Sequence, residues 1–351
     1  MIALNLGVYG PAHSAPAPGK PQIQLSLDTS EADQVLAILA LRRAGKAVDE
    51  ADWQKLFASA PYVRLKRREE EIGKRFNDPA RAFTDDGFKT FVLSEDLLPR
   101  AAELQGTLKD WKTVDLRQTA SRVLQYLPAT AVIQAKVFPL IKPRKNSFVH
   151  DTKTDPAIFL YLDPQAPAAK FENTVAHELH HIGLSSVESG YDQKIRSLPE
   201  RARVAAEWMG AFGEGMAMLA AAGGPDTHPH ATSTASDRER WDRDMASFSQ
   251  DLRSVDAFYL DILGGNLATP EAIGEKGGTF YGVQGPWYTV GYGMAVMVER
   301  RFGRPVLLDS MLDPRRLLVL YNQAAAEQNS ARRDPLPLWS EGVLKQVGAI
   351  P

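Results

Sequence analysis

Apolar residues in this chain recur mostly at spacings of three and four. Only two short stretches read as strands. From residue 27 to 45, "LDTSEADQVLAILALRRAG" carries its apolar positions at helical intervals, with Ser30 and Asp33 at N-cap and N3 spacing. More helical segments follow to about residue 126, among them "DEADWQKLFASA" and "DLRQTASRVLQYL". One segment, "RLKRREEEIGKRF", mixes signs and offers Lys66–Glu70 and Arg67–Glu71 as i,i+4 pairs; it reads as a solvated helix face, not a basic patch. "AVIQAKVF" (131–138) and "AIFLYLD" (157–163) are the two strand-like runs, joined by a Pro/Lys/Asn-rich connection. A histidine-rich helix follows, then a helical stretch from about Glu200 to Ala222 that stops at Gly223-Gly224. The loop "GGPDTHPHATSTASD" is expected to be mobile, and helices resume over 236–263, about 287–302, 313–327 and 336–347. Residues 9–22 are Pro- and Ala-rich and read as a spacer, and no internal repeat is present. The pattern predicts an α+β fold, mainly α-helical, with one small sheet next to the histidine-rich helix.

Composition narrows the function classes. A hydrophobic fraction of 44% and a charged fraction of 24% over 351 residues are those of a soluble globular protein. A net charge of −2 gives no electrostatic reason to expect nucleic acid as a partner. No apolar run approaches the roughly 18 residues of a membrane span. "MIALNLGV" is too short for a secretory segment and lacks preceding basic residues, so the expectation is a cytoplasmic protein or an exported one whose signal is absent from this chain. Without cysteine, any metal must be held by His, Asp or Glu.

The chemistry lies in "NTVAHELHHIGL", residues 173–184, which holds three of the chain's seven histidines. Residues four apart share a helix face, so His177 and His181 can aim at one cation while Glu178 reaches a water bound to it. This is the H-E-x-x-H zinc arrangement, with the Glu as general base. The position of the Glu favours the 177/181 pairing over 177/180, which leaves His180 as a neighbour of the site, a substrate-facing group or an exposed one. A catalytic zinc takes three protein ligands and keeps a fourth position for water. No third His follows in the extended spacing, since Val187 stands there, and His228 and His230 lie in the loop expected to be mobile. Glu207 and Glu214, on the next long helix and on roughly one face, are the carboxylate candidates. Glu214 stands in an otherwise uncharged stretch between Gly213 and Gly215, small neighbours that let a second helix come close.

His177-Glu178-Leu179-His180-His181, followed by Gly213-Glu214-Gly215-Met216-Ala217, resembles the gluzincin metallopeptidases. In that group, including the aminopeptidase N and leukotriene A4 hydrolase relatives, the third ligand is a Glu in an N-E-G-x-A setting; the pattern is also similar to bacterial zinc-dependent peptidase families of unknown function. The resemblance implies a thermolysin-like core and Glu214 as the ligand. It also makes Tyr288, in "PWYTVGYGMAVMVERRFG", the donor to the oxyanion, with Tyr281 and Tyr292 as competitors. The motifs fall within residues 171–303. Two departures stand out. The gap from His181 to Glu214 is long, so "SSVESGYDQKIRSLPE" must loop out, and residues 140–170 contain no Glu, so the segment by which aminopeptidases hold a substrate amino terminus is missing.

The resulting expectation is a hydrolase with one Zn²⁺ per chain acting on a peptide or protein, more as an endopeptidase than an aminopeptidase. His177, His181 and Glu214 hold the metal, Glu178 and Tyr288 do the chemistry, and Ile158, Leu160 and Leu162 line an extended peptide added to their strand. The alternatives are a zinc hydrolase of a non-peptide substrate and a non-catalytic zinc-stabilised binding module. The expected organisation is a tail (1–25), a helical N-terminal part (26–128), the sheet with the zinc-binding helices (129–225), and a helical C-terminal part (226–351) that completes the catalytic unit.

Overall fold

The computed structural model of the chain describes residues 22–76, 83–187 and 190–350. Four strands form one mixed sheet: β1 (Ile23–Leu27), β2 (Ile133–Leu140), β3 (Phe148–His150) and β4 (Ala157–Tyr161), in the order β1-β2-β4-β3. β1, β2 and β4 run parallel, and β3 is antiparallel to β4. The register sets Val137 beside Ile158 and Phe138 beside Phe159. Successive side chains point to opposite faces, so Ala135, Val137, Ile158 and Leu160 build one face and Phe138, Leu140, Ala157 and Phe159 the other. Both faces are buried, as parallel strands joined by helical crossovers require.

Between β1 and β2 come α1 (Ser30–Arg43), α2 (Glu50–Phe57), α3 (Ala60–Phe76), α4 (Asp85–Val92), α5 (Ala101–Trp111) and α6 (Leu116–Leu124). Side-chain oxygens start several of them: Asp49 and Asp52 form a reciprocal capping box at α2, Thr84 accepts from the Gly87 amide at α4, and Asp115 accepts from the amides of Arg117 and Gln118 at α6. The α1 cap is Thr29, one position before the expected Ser30, and its hydroxyl donates to Asp33 at 2.7 Å. α3 differs more. Arg67 pairs with Glu71 as expected, but Lys66 turns to Asp85 at 2.8 Å, and Arg64, Arg68 and Glu69 are buried. Leu65 joins the phenylalanine face of the sheet, and the Arg68 guanidinium lies 3.9 Å from the centre of the Phe148 ring. Half of the charged helix therefore covers the sheet with arginine stems and cation–π contacts.

The opposite face of the sheet packs on α7 (Ala168–Ser185), with α1, α5 and α6 alongside. Beyond it run α8 (Tyr191–Ile195), α9 (Glu200–Trp208), α10 (Gly213–Ala222), α11 (Ala235–Ala246), α12 (Phe248–Gly264) and α13 (Pro270–Thr279). α14 (Pro286–Phe302), α15 (Arg304–Met311), α16 (Pro314–Asn329) and α17 (Glu341–Gln346) complete the chain. These helices enclose a second core around Phe212, Tyr259, Trp287 and Trp339.

The molecule is mainly helical with a small four-stranded sheet, an α+β fold, and no helix among the described residues is long and apolar enough to cross a membrane. The stretch from Glu200 to Ala222 is two helices joined by a 3₁₀ turn at Met209–Phe212, and 236–263 is α11 and α12 with a break at Ser247. β1 begins inside the segment expected to be a tail; residues 1–21 of that segment lie outside the described residues. α8 falls in the insertion expected to loop out.

Candidate metal centre

α7 is placed by its apolar residues. Phe171, Val175, Leu179 and Ile182 enter the sheet-side core, Trp111 stacks on Phe171 with ring centres 4.4 Å apart, and the Trp111 indole donates to the Ala166 carbonyl at 2.9 Å. At Gly183 the helix comes so close to the turn after α6 and to β2 that an added Cβ would sit 2.3 Å from Leu127 and 3.3 Å from Ile133. The opposite face carries His177 and His181 toward α10. There Asn173 donates to the Ala221 carbonyl at 3.2 Å and ties the two helices together. The role of Asn173 was not expected from the sequence, although its place four residues before His177, on the same helix face, was the available sign.

α10 in turn is pressed against α14. A Cβ on Gly215 would lie 2.0 Å from the Tyr292 backbone nitrogen and 2.3 Å from the Gly291 carbonyl carbon, whereas one on Gly213 would meet nothing within 4 Å. The helix admitted by the small residues beside Glu214 is therefore α14, through Gly215 and Gly291. The contact sets the first turn of α14, with Tyr288, beside the first turn of α10, with Glu214.

Three ligand atoms converge as a result. The Nε2 atoms of His177 and His181 are 3.1 Å apart, and Glu214 Oε2 lies 3.1 Å from the first and 3.4 Å from the second. With bonds of about 2.0–2.1 Å, neighbouring ligands on a tetrahedral zinc stand about 3.3–3.4 Å apart, so the triangle has the size of one face of such a site. Among the described residues this is the group of His, Asp and Glu side chains able to hold a metal ion. Glu214 is 1% exposed and its Oε1 has no hydrogen-bond partner. Burial alone would raise its pKa, but the charge of His181 and hydrogen bonds from His177 and His181 outweigh it and hold the carboxyl below the ordinary range.

Glu178 is 2% exposed, with Oε1 unpartnered; burial raises its pKa and the two facing histidines partly offset that. The Tyr288 ring lies 6.3 Å from the His177 ring and nearly parallel to it, and its hydroxyl is raised above the ordinary range by burial and then by the Glu214 carboxylate. Tyr292 instead packs edge-on against Trp241 at 5.3 Å, and Tyr281 lies by Trp287 at 6.4 Å.

A family model described as "Putative zinc dependent peptidase (DUF5700)" matches residues 53–330, which contain all of these side chains. The chain belongs to that family. The match begins within α2 and ends just past α16, so it takes in β2, β3 and β4 with α7, α10 and α14, while β1, α1, α17 and Trp339 of the second core lie outside it. No curated protein and no solved structure matches the chain.

Within this family member the remaining candidates fall elsewhere. Glu207 is exposed on α9 in an i,i+4 pair with Arg203. His180 is fully buried against the Tyr126 main chain, not exposed, and burial with the two neighbouring histidines lowers it to about 3. His228 pairs with Asp242 at 3.1 Å, and His230, expected in a mobile loop, is buried. The expectation for Ile158, Leu160 and Leu162 needs correction. All three side chains are buried in the core beneath α7, and β4 is hydrogen-bonded to β2 on one side and β3 on the other. An interior strand has no free edge along Ala157–Phe159 for a peptide to join.

Proposed function

We propose that this chain is a zinc metallopeptidase of gluzincin type that hydrolyses internal peptide bonds. The observation that carries the reading is the triangle of His177 Nε2, His181 Nε2 and Glu214 Oε2, with Glu178, whose Oε1 is unpartnered, on the same helix turn. The donor set suits Zn²⁺: two imidazoles and a carboxylate with a position left for water. Bound there, zinc supplies Lewis acidity that brings the pKa of a water toward neutrality. The rest is done by this chain's own residues. His177, His181 and Glu214 hold the cation. Glu178 takes the proton from the attacking water and passes it to the leaving amine. Tyr288, in the first turn of α14, donates its hydroxyl hydrogen to the oxyanion as the carbonyl carbon becomes tetrahedral. A site kept only for stability would be closed by a fourth ligand and would need no base beside an open position. The absence of Glu from residues 140–170 supports endopeptidase over aminopeptidase action.

Turnover of a quenched fluorescent peptide library, before and after chelation and again after zinc is restored, tests the reading. Hydrolysis that stops with chelator and returns with zinc is expected; hydrolysis indifferent to both would overturn it.

A further inference from the structure

The Pro/Lys/Asn-rich connection after β2 supplies nothing to the metal centre, yet it closes a cavity of its own. The cavity, about 140 Å³, lies beyond the carboxyl ends of the parallel strands β2 and β4, the end at which open α/β sheets bind ligands. Lys142 and Lys145 line it from the connection, Tyr161 from the last position of β4, and Arg100 from the turn that leads into α5. No carboxylate is among the lining residues. The rest of the wall is apolar, with Leu97, Leu104, Ile141 and Leu162 all buried.

The positive charge here has no counterpart. Arg100 donates to the Tyr161 hydroxyl at 3.2 Å and forms no ion pair among the described residues; Glu103 and Asp163 act on it only from farther away. The Tyr161 hydroxyl accepts that bond, and its own hydrogen meets no acceptor among the described residues. Lys145 makes no ion pair or hydrogen bond among them. Lys142 is 3% exposed, and its ammonium donates to the Arg144 carbonyl at 2.7 Å and to Asn146 at 2.6 Å, neutral groups that carry no countercharge. Two carboxylates and two guanidinium groups face it. Glu69 is engaged by those same two guanidinium groups, Arg68 at 2.6 Å and Arg144 at 3.5 Å. Burial pushes the other carboxylate, Glu31, up to about 8, so it is protonated at pH 7. Buried charges are normally paired, so three cations without a partner around one apolar cavity point to an anion.

We infer that this cavity binds a small organic carboxylate, a monoanion whose apolar body is no larger than a benzene ring. The Arg100 fork fits a carboxylate, and Tyr161 donates its hydroxyl hydrogen to the same group. Lys142 and Lys145 add their charge, and the buried leucines take the apolar body. An apolar cavity of about 150 Å³ holds one benzene molecule, which sets the size. Inorganic phosphate would match the charge but set polar oxygens against the leucines. The site shares no residue with the metal centre and stands or falls apart from the peptidase reading.

Isothermal titration calorimetry on the purified protein at pH 7 tests it, with benzoate, hexanoate, benzamide, inorganic phosphate and N-acetylphenylalanine as probes. Benzoate or hexanoate should bind one to one with a Kd on the order of 0.1–1 mM. Arg100→Gln should weaken that binding by about tenfold or more, the loss of a charge-assisted hydrogen bond. Tyr161→Phe should weaken it less, and neither variant should move the unfolding midpoint; should Arg100→Gln fail to fold, Tyr161→Phe carries the test. Benzamide lacks the charge, phosphate lacks the apolar body, and N-acetylphenylalanine, which stands for the carboxyl end of a peptide, exceeds the cavity. Each should bind about tenfold more weakly than the better acid. No heat from either acid would overturn the inference, as would equal affinity in the folded variants, the outcome for a carboxylate held at zinc. Benzamide, phosphate or N-acetylphenylalanine binding as tightly as the acids would overturn it too.

Discussion

The Glu178 carboxylate is buried next to two histidines and has one oxygen with nothing to bond. Such a group is costly unless it has a proton to receive, which is the role proposed for it. Glu178→Gln should therefore keep zinc, because it is no ligand, while turnover falls by about 10²–10⁴-fold, the range for a general base; zinc analysis and steady-state kinetics on the same preparation check both. Tyr288 sits against Glu214 and His177, where Tyr292 does not. Tyr288→Phe should lower kcat by roughly ten- to a thousandfold with KM and zinc content little changed, because the hydrogen bond strengthens only in the transition state. Glu214→Ala should lose zinc and Glu207→Ala should keep it, since only the former carboxylate reaches the histidines.

At the scale of the element, the two glycines flanking Glu214 make opposite predictions. Gly215→Ala drives a Cβ into the α14 backbone at 2.0 Å, a contact no side-chain rotation relieves. It should cost about 1–3 kcal/mol or more and weaken zinc binding as Glu214 and α14 move apart. Gly213→Ala meets no atom within 4 Å and should be neutral or mildly stabilising; denaturant unfolding of both variants decides. The same elements mark how much was legible in the sequence. His177, Glu178 and His181 could be placed because a four-residue spacing on a helix is local geometry, and Glu214 stood out as the one charge in an apolar helix. The break at Met209–Phe212 was hidden because a 3₁₀ turn barely disturbs the apolar rhythm. β3 has three residues, too few to show a period, and β1 is defined by pairing with a strand about a hundred residues away. α3 looked solvated because the sequence shows arginines and not where their guanidinium groups lie, over Phe138, Phe159 and Phe148. Ile158 and Leu160 were read correctly as strand, while Leu162 lies just past its end; whether a strand is edge or interior depends on partners that the local pattern does not contain.

Across the whole molecule the candidate metal centre lies where two cores meet. α7 brings His177 and His181 from the sheet side, while α10 and α14, rooted in the second core around Trp287, bring Glu214 and Tyr288. A cation held by both sides would link them, and a ligand that binds only the folded state stabilises it by about 2.7 kcal/mol at a hundred times its Kd. Thermal unfolding should therefore shift upward with free zinc in the wild type and stay fixed in Glu214→Ala. The measurement that tests the central claim most directly is metal content and peptide turnover followed together on one purified sample during chelation and zinc titration. One zinc per chain, with turnover falling and returning in proportion to occupancy, is predicted; full peptide turnover from protein shown to hold no metal would contradict the account.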